Sequence, residues 1–402
     1  MKRFFMFILP LLAVALLFGK GPIELVESIP VETTLDNEDI RNTPEVWLEM
    51  INGAKRTLDF GEFYISHKDG EALTPVLEAV TAAADRGVQV RFVIDGSMYK
   101  TYPETADKLN EYPNIEVRVY DLSGITGGVL HAKYFIVDER EIFLGSQNFD
   151  WRALKHIHEL GLRIEDKSLV KFYKQLFDLD WALSAEDADT DAILGCIRSD
   201  ENLYRVSITD KGYGKSTLLP TASNPRIIYY PANGDEIQLL NLIDHAEESI
   251  RIQLLSYSPL SRDGLYEQLD FALRRAAARG VNIEMILSDW NFHSPRIEYI
   301  KSLHAVPNIT VKFSTIPEAS EGYIGYARVE HCKFMVIDNS VFWLGTSNWS
   351  KSYFHHGRNL GIVVKNNKMA KRVSDIFLKS WDSGYCSPVE LGKNYEAKRT
   401  AE

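Results

Sequence analysis

"HAKYFIVDEREIFLGSQN" at residues 131–148 and "HCKFMVIDNSVFWLGTSN" at 331–348 are one pattern written twice, 200 positions apart. Both copies read H-x-K-x4-D-x6-G-[S/T]-x-N. In a strand, alternate side chains share a face, so His131 projects with Lys133 and His331 with Lys333. The runs Tyr134 to Val137 and Phe334 to Ile337 are apolar enough to be buried strands. An imidazole and an ammonium carried on such a scaffold are costly to bury without anions or hydrogen-bond acceptors opposite them. Gly145 and Gly345 permit close approach of backbone, and Asn148 and Asn348 bring amide donors to the same locus.

The repetition extends well beyond these segments. "RGVQVRFVID" (86–95) is echoed by "RGVNIEMILSD" (279–289), and "PNIEVRVY" (113–120) by "PNITVKFS" (307–314), in the same order. Each RGV block follows an Ala-rich helical stretch, "LTPVLEAVTAAAD" or "LYEQLDFALRRAAA", and before each lies an apolar strand candidate, "TLDFGEFYI" or "IRIQLLSYS". After each motif come a short apolar strand, "LGLRI" or "LGIVV", and a helix candidate ending near Trp181 or Trp381. The expected fold is α/β, with two pseudo-symmetric repeats that each build a β-sheet flanked by helices. The first half is placed at 30–184 and the second at 225–390. A connector with weak periodicity spans 185–224, and a charged, frayed tail spans 391–402.

The chain has 402 residues, 45% hydrophobic and 25% charged, an ordinary globular makeup with room for large cores. Its net charge of −11 excludes a generally basic nucleic-acid coat, so an anionic substrate has to be met locally. Residues 1–21 place Lys2 and Arg3 before an apolar run from Phe4 to Phe18, then Gly19, Lys20 and Gly21. That is the order of a secretory signal peptide, or of an uncleaved membrane anchor, and it implies an exported protein in a periplasmic, extracellular or lumenal setting. Three cysteines, Cys196, Cys332 and Cys386, are too few for a disulfide framework; a Cys196–Cys386 bond stays open, and Cys332 should turn into the core.

One motif copy supplies one imidazole, one ammonium and one amide, and two copies face to face supply what in-line cleavage of a phosphodiester needs. One histidine attacks phosphorus, and the other protonates the departing oxygen from the opposite side. The lysines and asparagines hold the non-bridging oxygens as charge builds. With lysines carrying the compensating charge, no metal and no cofactor is required. A single active site at the interface of the halves gives the duplication its cause.

His131, Lys133, Asp138, Gly145, Ser146 and Asn148, with His331, Lys333, Asp338, Gly345, Thr346 and Asn348, resemble the paired signature of the phospholipase D superfamily. The stretches "GSQNFDWRALKHIHELG" and "GTSNWSKSYF" are similar to one branch, the type II membrane phospholipase D-like proteins, whose animal members are lumenal five-prime exonucleases on single-stranded nucleic acid. The resemblance implies a metal-independent phosphodiesterase working through a covalent phosphohistidine. Its expected substrate is single-stranded DNA or RNA. The alternative is membrane phospholipid, because the superfamily also contains phospholipases D and phosphatidyl transferases. A non-catalytic, membrane-associated relative is disfavoured, since no motif residue is missing. The resemblance also suggests that Glu159 orients one catalytic histidine; a solvated strand-end glutamate is the other reading, and the matching position holds Asn359. His131 is assigned as nucleophile and His331 as general acid, in part because Glu159 lies in the first half and in part by analogy with the superfamily. Lys133, Lys333, Asn148 and Asn348 are assigned to the phosphate.

Other polar positions carry less. Asp138 and Asp338 lie seven residues past their histidines, roughly 20 Å along an extended strand, and are read as structural. His156 with His158, and His355 with His356, lack a zinc enzyme's carboxylate spacing and are read as surface or supporting residues. Phe149, Trp151, Trp349, Tyr353 and Phe354 are read as core.

Overall fold

A computed structural model describes residues 21–261 and 264–400. The signal or anchor segment, read at 1–21, therefore lies outside the described residues but for Gly21. Two large mixed sheets dominate. The first runs, edge to edge, through Arg41–Asn42, Ile23–Ser28, Glu159–Glu165, Glu141–Gly145, Lys133–Val137, Thr57–Glu62, Gln89–Asp95 and Ile115–Tyr120. The second repeats this order with Gly214–Ser223, Asn359–Lys365, Val341–Gly345, Lys333–Ile337, Ser249–Leu254, Asn282–Ser288 and Ile309–Ser314, and adds edge strands Val206–Asp210 and Cys386–Pro388.

In both sheets the motif strand sits near the middle. Lys133–Val137 pairs antiparallel with Thr57–Glu62 and with Glu141–Gly145. Lys333–Ile337 does the same with Ser249–Leu254 and Val341–Gly345. Beyond them the strands turn parallel, which demands crossover helices: Thr74–Asp85 in the first half and Gln268–Ala278 in the second. These are the two Ala-rich segments read as helical.

Strand alternation divides the core. Phe135 and Phe143 pack outward beneath Thr43–Gly53 and Thr74–Asp85, and Met335 and Trp343 pack beneath Asp235–Asp244 and Gln268–Ala278. Tyr134, Ile136, Leu144, Phe334, Val336 and Leu344 face inward. There, helices Lys167–Leu183 and Asn367–Trp381 fill the space between the sheets in one continuous core shared by both halves. Both inner helices start at matching caps, with Asp166 accepting from the Leu169 N–H at 2.8 Å and Asn366 from that of Met369 at 3.0 Å.

Two boundaries differ from the sequence reading. The first half starts at Ile23, because Ile23–Ser28 pairs along its length with Glu159–Glu165. The stretch 185–224 is a connector only in its first part, since Val206–Asp210 and Gly214–Ser223 are strands of the second sheet. The polarity that made Gly214–Ser223 read as a linker is buried and bonded: Thr221 donates to Asp235, and Ser223 donates to the Tyr353 and Gly357 carbonyls. The tail does not fray either. Tyr395 packs 4.7 Å from Phe292, Lys398 reaches Asp289 at 3.3 Å, and the Thr400 carbonyl accepts from the Tyr326 N–H at 2.7 Å. All three cysteines are free, with Cys332 fully buried as expected and Cys196 exposed. Among the described residues no helix is long and apolar enough to cross a membrane.

Candidate active site

The motif histidines are placed by the opposite half of the chain. The His131 N–H donates to the Arg358 carbonyl at 2.9 Å, and the His331 N–H donates to the His158 carbonyl at 3.0 Å. Short parallel bridges, Leu130 to Arg358 and His158 to Glu330, frame these bonds. Each supporting residue is itself locked across the seam. Arg358 clamps Asp180 through Nε and Nη2 at 2.9–3.1 Å, and His158 meets Glu330 at 2.7 Å; all four side chains are buried. Burial alone lowers the His158 pKa, but the Glu330 charge and hydrogen bond outweigh it and the net shift is upward.

His131, Lys133, Asn148, Glu159, His331, Lys333 and Asn348 are all at least nine-tenths buried, and the charges of the two motifs act on each other. Each lysine ammonium donates to the carbonyl of its own histidine, at 3.0 Å for Lys133 and 2.9 Å for Lys333, which leaves donors free for a substrate. Burial, then the neighbouring Lys333, pushes Lys133 well down; Glu62, opposite it in register with one oxygen unpartnered, opposes this. Burial lowers Lys333 to about 8, with Glu159 opposing. The buried amide oxygens of Asn148 and Asn348 have no partner among the described residues.

The two histidines differ in what stands behind them. His331 Nδ1 meets both Glu159 oxygens, at 2.8 and 2.9 Å. Glu159 thus orients the histidine of the other half, which corrects the ground on which it was tied to the first. A partner across the seam leaves no local sign in the sequence. His131 Nδ1 meets Asn359 Oδ1 at 3.1 Å instead. The Asn359 amide is fixed, because its NH2 donates to the Tyr353 carbonyl at 2.7 Å while its oxygen accepts from Thr346 Oγ1 at 3.1 Å. His131 Nδ1 must then carry the proton, which leaves the Nε2 lone pair of the neutral ring free. Burial, followed by Lys133 and Lys333, holds His131 well below the usual imidazole range and so keeps it neutral. Burial and the same lysines also push His331 down, and burial pushes Glu159 up.

Sequence reasoning missed Asn359 as a partner, although its alignment with Glu159 was the available signal. It also missed the hydroxyls of Ser146 and Thr346, which accept the Leu160 and Leu360 N–H groups at 3.1 Å beside Glu159 and Asn359. Two rings flank His131, Phe63 at 4.8 Å and Tyr353 at 4.9 Å. Phe149, Trp151, Trp349 and Phe354 are core as expected, but Tyr353 reaches the site. The motif glycines sit where no side chain fits, since a Cβ on Gly145 would lie 2.8 Å from Gly161 Cα, and one on Gly345 2.9 Å from the Leu360 carbonyl.

Asp138 and Asp338 lie at the far ends of their strands. Asp138 accepts the Lys55, Arg56 and Thr57 N–H groups, and Asp338 those of Glu247, Glu248 and Ser249, tying each turn to the start of the neighbouring strand. His156 and His158 are interior rather than surface residues, while His355 pairs with Glu236 at 2.9 Å. Among the described residues one group of potential metal ligands converges, His158, Glu330 and Cys332, within 4.8 Å. Both Glu330 oxygens are already taken, by His158 and by the Cys332 N–H at 3.0 Å, so the cluster is bonded as an ion pair.

Two equivalent half-sites on two equivalent sheets should match one domain model twice. The model described as cardiolipin synthase, PLD-like domain, matches residues 47–181 and 239–381. The chain belongs to the phospholipase D superfamily. Phospholipase D Z of Dictyostelium discoideum is 30% identical over 388 residues, covering 92% of this chain and 91% of that protein. The human 5'-3' exonuclease PLD3 is 28% identical over 395 residues, covering 91% and 80%. The phosphatidylserine synthase of Haemophilus influenzae superposes with a TM-score of 0.61 at 13% identity, over 86% of this chain and 85% of its own, which shows a shared architecture. As a member of the phospholipase D superfamily the protein is a phosphodiesterase.

Proposed function

We propose that the protein is a five-prime exonuclease on single-stranded DNA or RNA, working without a metal through a phosphohistidine on His131. The observation that carries the substrate is the aromatic wall at the nucleophile, Phe63 on one side and Tyr353 on the other. Flat rings beside the reacting phosphorus suit a nucleoside, whose bases stack on such faces. In a phospholipid the groups next to phosphorus are glycerol and a small polar headgroup. A relative named as a 5'-3' exonuclease supports the reading. The lipid alternative has its own support in a relative named phospholipase D.

In the proposed mechanism His131 Nε2 attacks phosphorus, and the P–O bond to the leaving group breaks as His331 gives that oxygen a proton. Water then attacks phosphorus, losing its proton to the now neutral His331, and the P–N bond breaks to return His131. Glu159 behind His331 favours its protonated form once the substrate anion offsets the lysines, whereas the uncharged Asn359 behind His131 does not. The roles keep their assignment on this different ground. Lys133, Lys333, Asn148 and Asn348 hold the non-bridging oxygens. Export is part of the same proposal, resting on residues 1–21, and fractionation of cells expressing the full chain tests it.

The deciding assay presents the purified protein, in excess chelator, with a five-prime-labelled single-stranded oligonucleotide and with phosphatidylcholine vesicles. Labelled mononucleotide should be released at an undiminished rate. Release of choline or phosphatidate with the oligonucleotide intact would sink the nuclease reading, and zinc- or magnesium-dependent recovery from chelator would sink the two-histidine mechanism.

A further inference from the structure

Glu62 ends the strand Thr57–Glu62 and is 1% exposed, yet its Oε2 has no hydrogen-bond partner among the described residues. Other carboxylates buried as deeply are bonded: Asp180 by Arg358, Glu159 by His331, Glu330 by His158 and Glu27 by Asn37. The fold itself does not ask for a carboxyl here. At the matching place in the second half, the end of Ser249–Leu254, stands Leu254. Glu62 lies in register between Lys133 on one flanking strand and Ile94 on the other, and Leu254 lies likewise between Lys333 and Leu287. Stability alone favours the leucine, because a carboxyl taken from water without a full set of partners costs free energy that an apolar side chain does not. A residue that breaks a local rule which its own repeat obeys marks a functional position.

The register says what that function is. Directly paired side chains of antiparallel strands share a face, with Cβ atoms about 5 Å apart, so Glu62 stands beside the stem of Lys133. The Lys133 ammonium donates to the His131 carbonyl at 3.0 Å and lies 5.0 Å from the centre of the Phe63 ring, which packs 4.8 Å from His131. Glu62 and its chain neighbour Phe63 therefore flank the lysine of the nucleophile's own motif. Glu62 Oε2 is not bonded to that ammonium, so the carboxyl acts through space and leaves the remaining lysine donors to a substrate. Burial and then Lys333 push Lys133 toward the neutral amine, while Glu62, ahead of Glu159 and Asp95, opposes them. Burial likewise pushes Glu62 toward the neutral acid, and Lys133 opposes it. We infer that Glu62 is a positioning residue for phosphodiester cleavage, whose carboxyl, set in register with Lys133, is the standing counter-charge that keeps this lysine an ammonium able to hold the phosphate. The inference rests on the assignment of Lys133 to the phosphate and holds for a nucleoside or a lipid diester alike.

The test titrates the whole protein with sulfate, a dianion throughout neutral and alkaline solution, by calorimetry. Glu62→Gln keeps the shape and removes the charge. Its sulfate affinity should match wild type below neutrality and fall about tenfold short of it in alkaline solution, the effect of one adjacent opposite charge. In a Lys133→Arg background the same Glu62→Gln change should have no alkaline effect, because a guanidinium keeps its charge unaided. Glu62→Leu, which copies Leu254, should lose sulfate in the same way while raising the melting temperature of the anion-free protein. Glu62→Gln binding like wild type at every pH would overturn the inference. So would an alkaline loss that persists in the Lys133→Arg background, or a Glu62→Leu protein that melts lower and binds sulfate normally, since either would show a residue acting through the fold. Sulfate affinity untouched by Lys133→Ala would remove the phosphate assignment of Lys133, and the inference with it.

Discussion

Two histidines identical in sequence context are made chemically unequal by one exchange, Glu159 for Asn359. The motif and its second copy were legible because every polar landmark repeats. The residues behind the histidines were not, because each comes from the other half, more than 170 positions away. The consequence is measurable with leaving groups of different quality. His331→Ala should lose about 10²–10⁴-fold on a natural diester, the usual worth of a general acid, yet regain much of its first turnover on an aryl diester that departs without a proton. His131→Ala should stay inactive on both, and recovery of the His131 variant alone would reverse the roles. A second expectation concerns Lys333, whose ammonium loses its proton at about 8 in the free enzyme. Phosphate binding needs the charged form, so affinity for an unreactive phosphodiester analogue should fall as pH rises through about 8, and Lys333→Arg should move that fall upward. A flat profile into strongly alkaline solution would contradict the assignment.

The elements that hold the site are joined by seam contacts rather than by the motifs. Alternation and the Ala-rich periodicity announced the central strands and crossover helices. Gly214–Ser223 escaped because its polar side chains are bonded inside the protein, which no hydropathy pattern distinguishes from solvation. Asp138 was legible as structural from distance alone, and its three backbone donors say how. Asp138→Ala orphans them and should cost about 1–3 kcal/mol in denaturant unfolding while kcat per folded molecule holds. Loss of kcat in a fully folded variant would make Asp138 catalytic after all. The His158–Glu330 lock has a pH signature. His158 is raised in the fold above its ordinary 6.5, so its contribution is complete below that value and is lost as pH climbs through the raised pKa. Glu330 is depressed below its ordinary 4.5: burial pushes it up, but His158 and the Cys332 hydrogen bonds outweigh that. Its contribution is complete above 4.5 and is lost as pH falls through the depressed value. The pair therefore stabilises most between about pH 4.5 and 6.5. Glu330→Gln should cost about 3–5 kcal/mol within that window and less outside it, by thermal unfolding across pH. A pH-independent difference would show that the pair acts only by packing.

In the whole molecule two halves make one site, with the largest core running between the sheets. The duplicated sequence announced two units sharing one site, and their assembly shows which contacts each half takes from the other. Each histidine takes its backbone partner and its Nδ1 partner from the opposite half. Residues 21–200 expressed alone should expose that core and be inactive as a monomer, and a fully active monomeric fragment would refute the shared site. The most direct test of the central claim is to map the covalent intermediate. His331→Ala lacks the base for the second step, so mixing it with an aryl phosphodiester, quenching in alkali and sequencing peptides by mass spectrometry should find phosphate on His131. Acid should remove it and base should not. Label on His331 in the His131→Ala protein, with none on His131 in the reciprocal variant, would contradict the account.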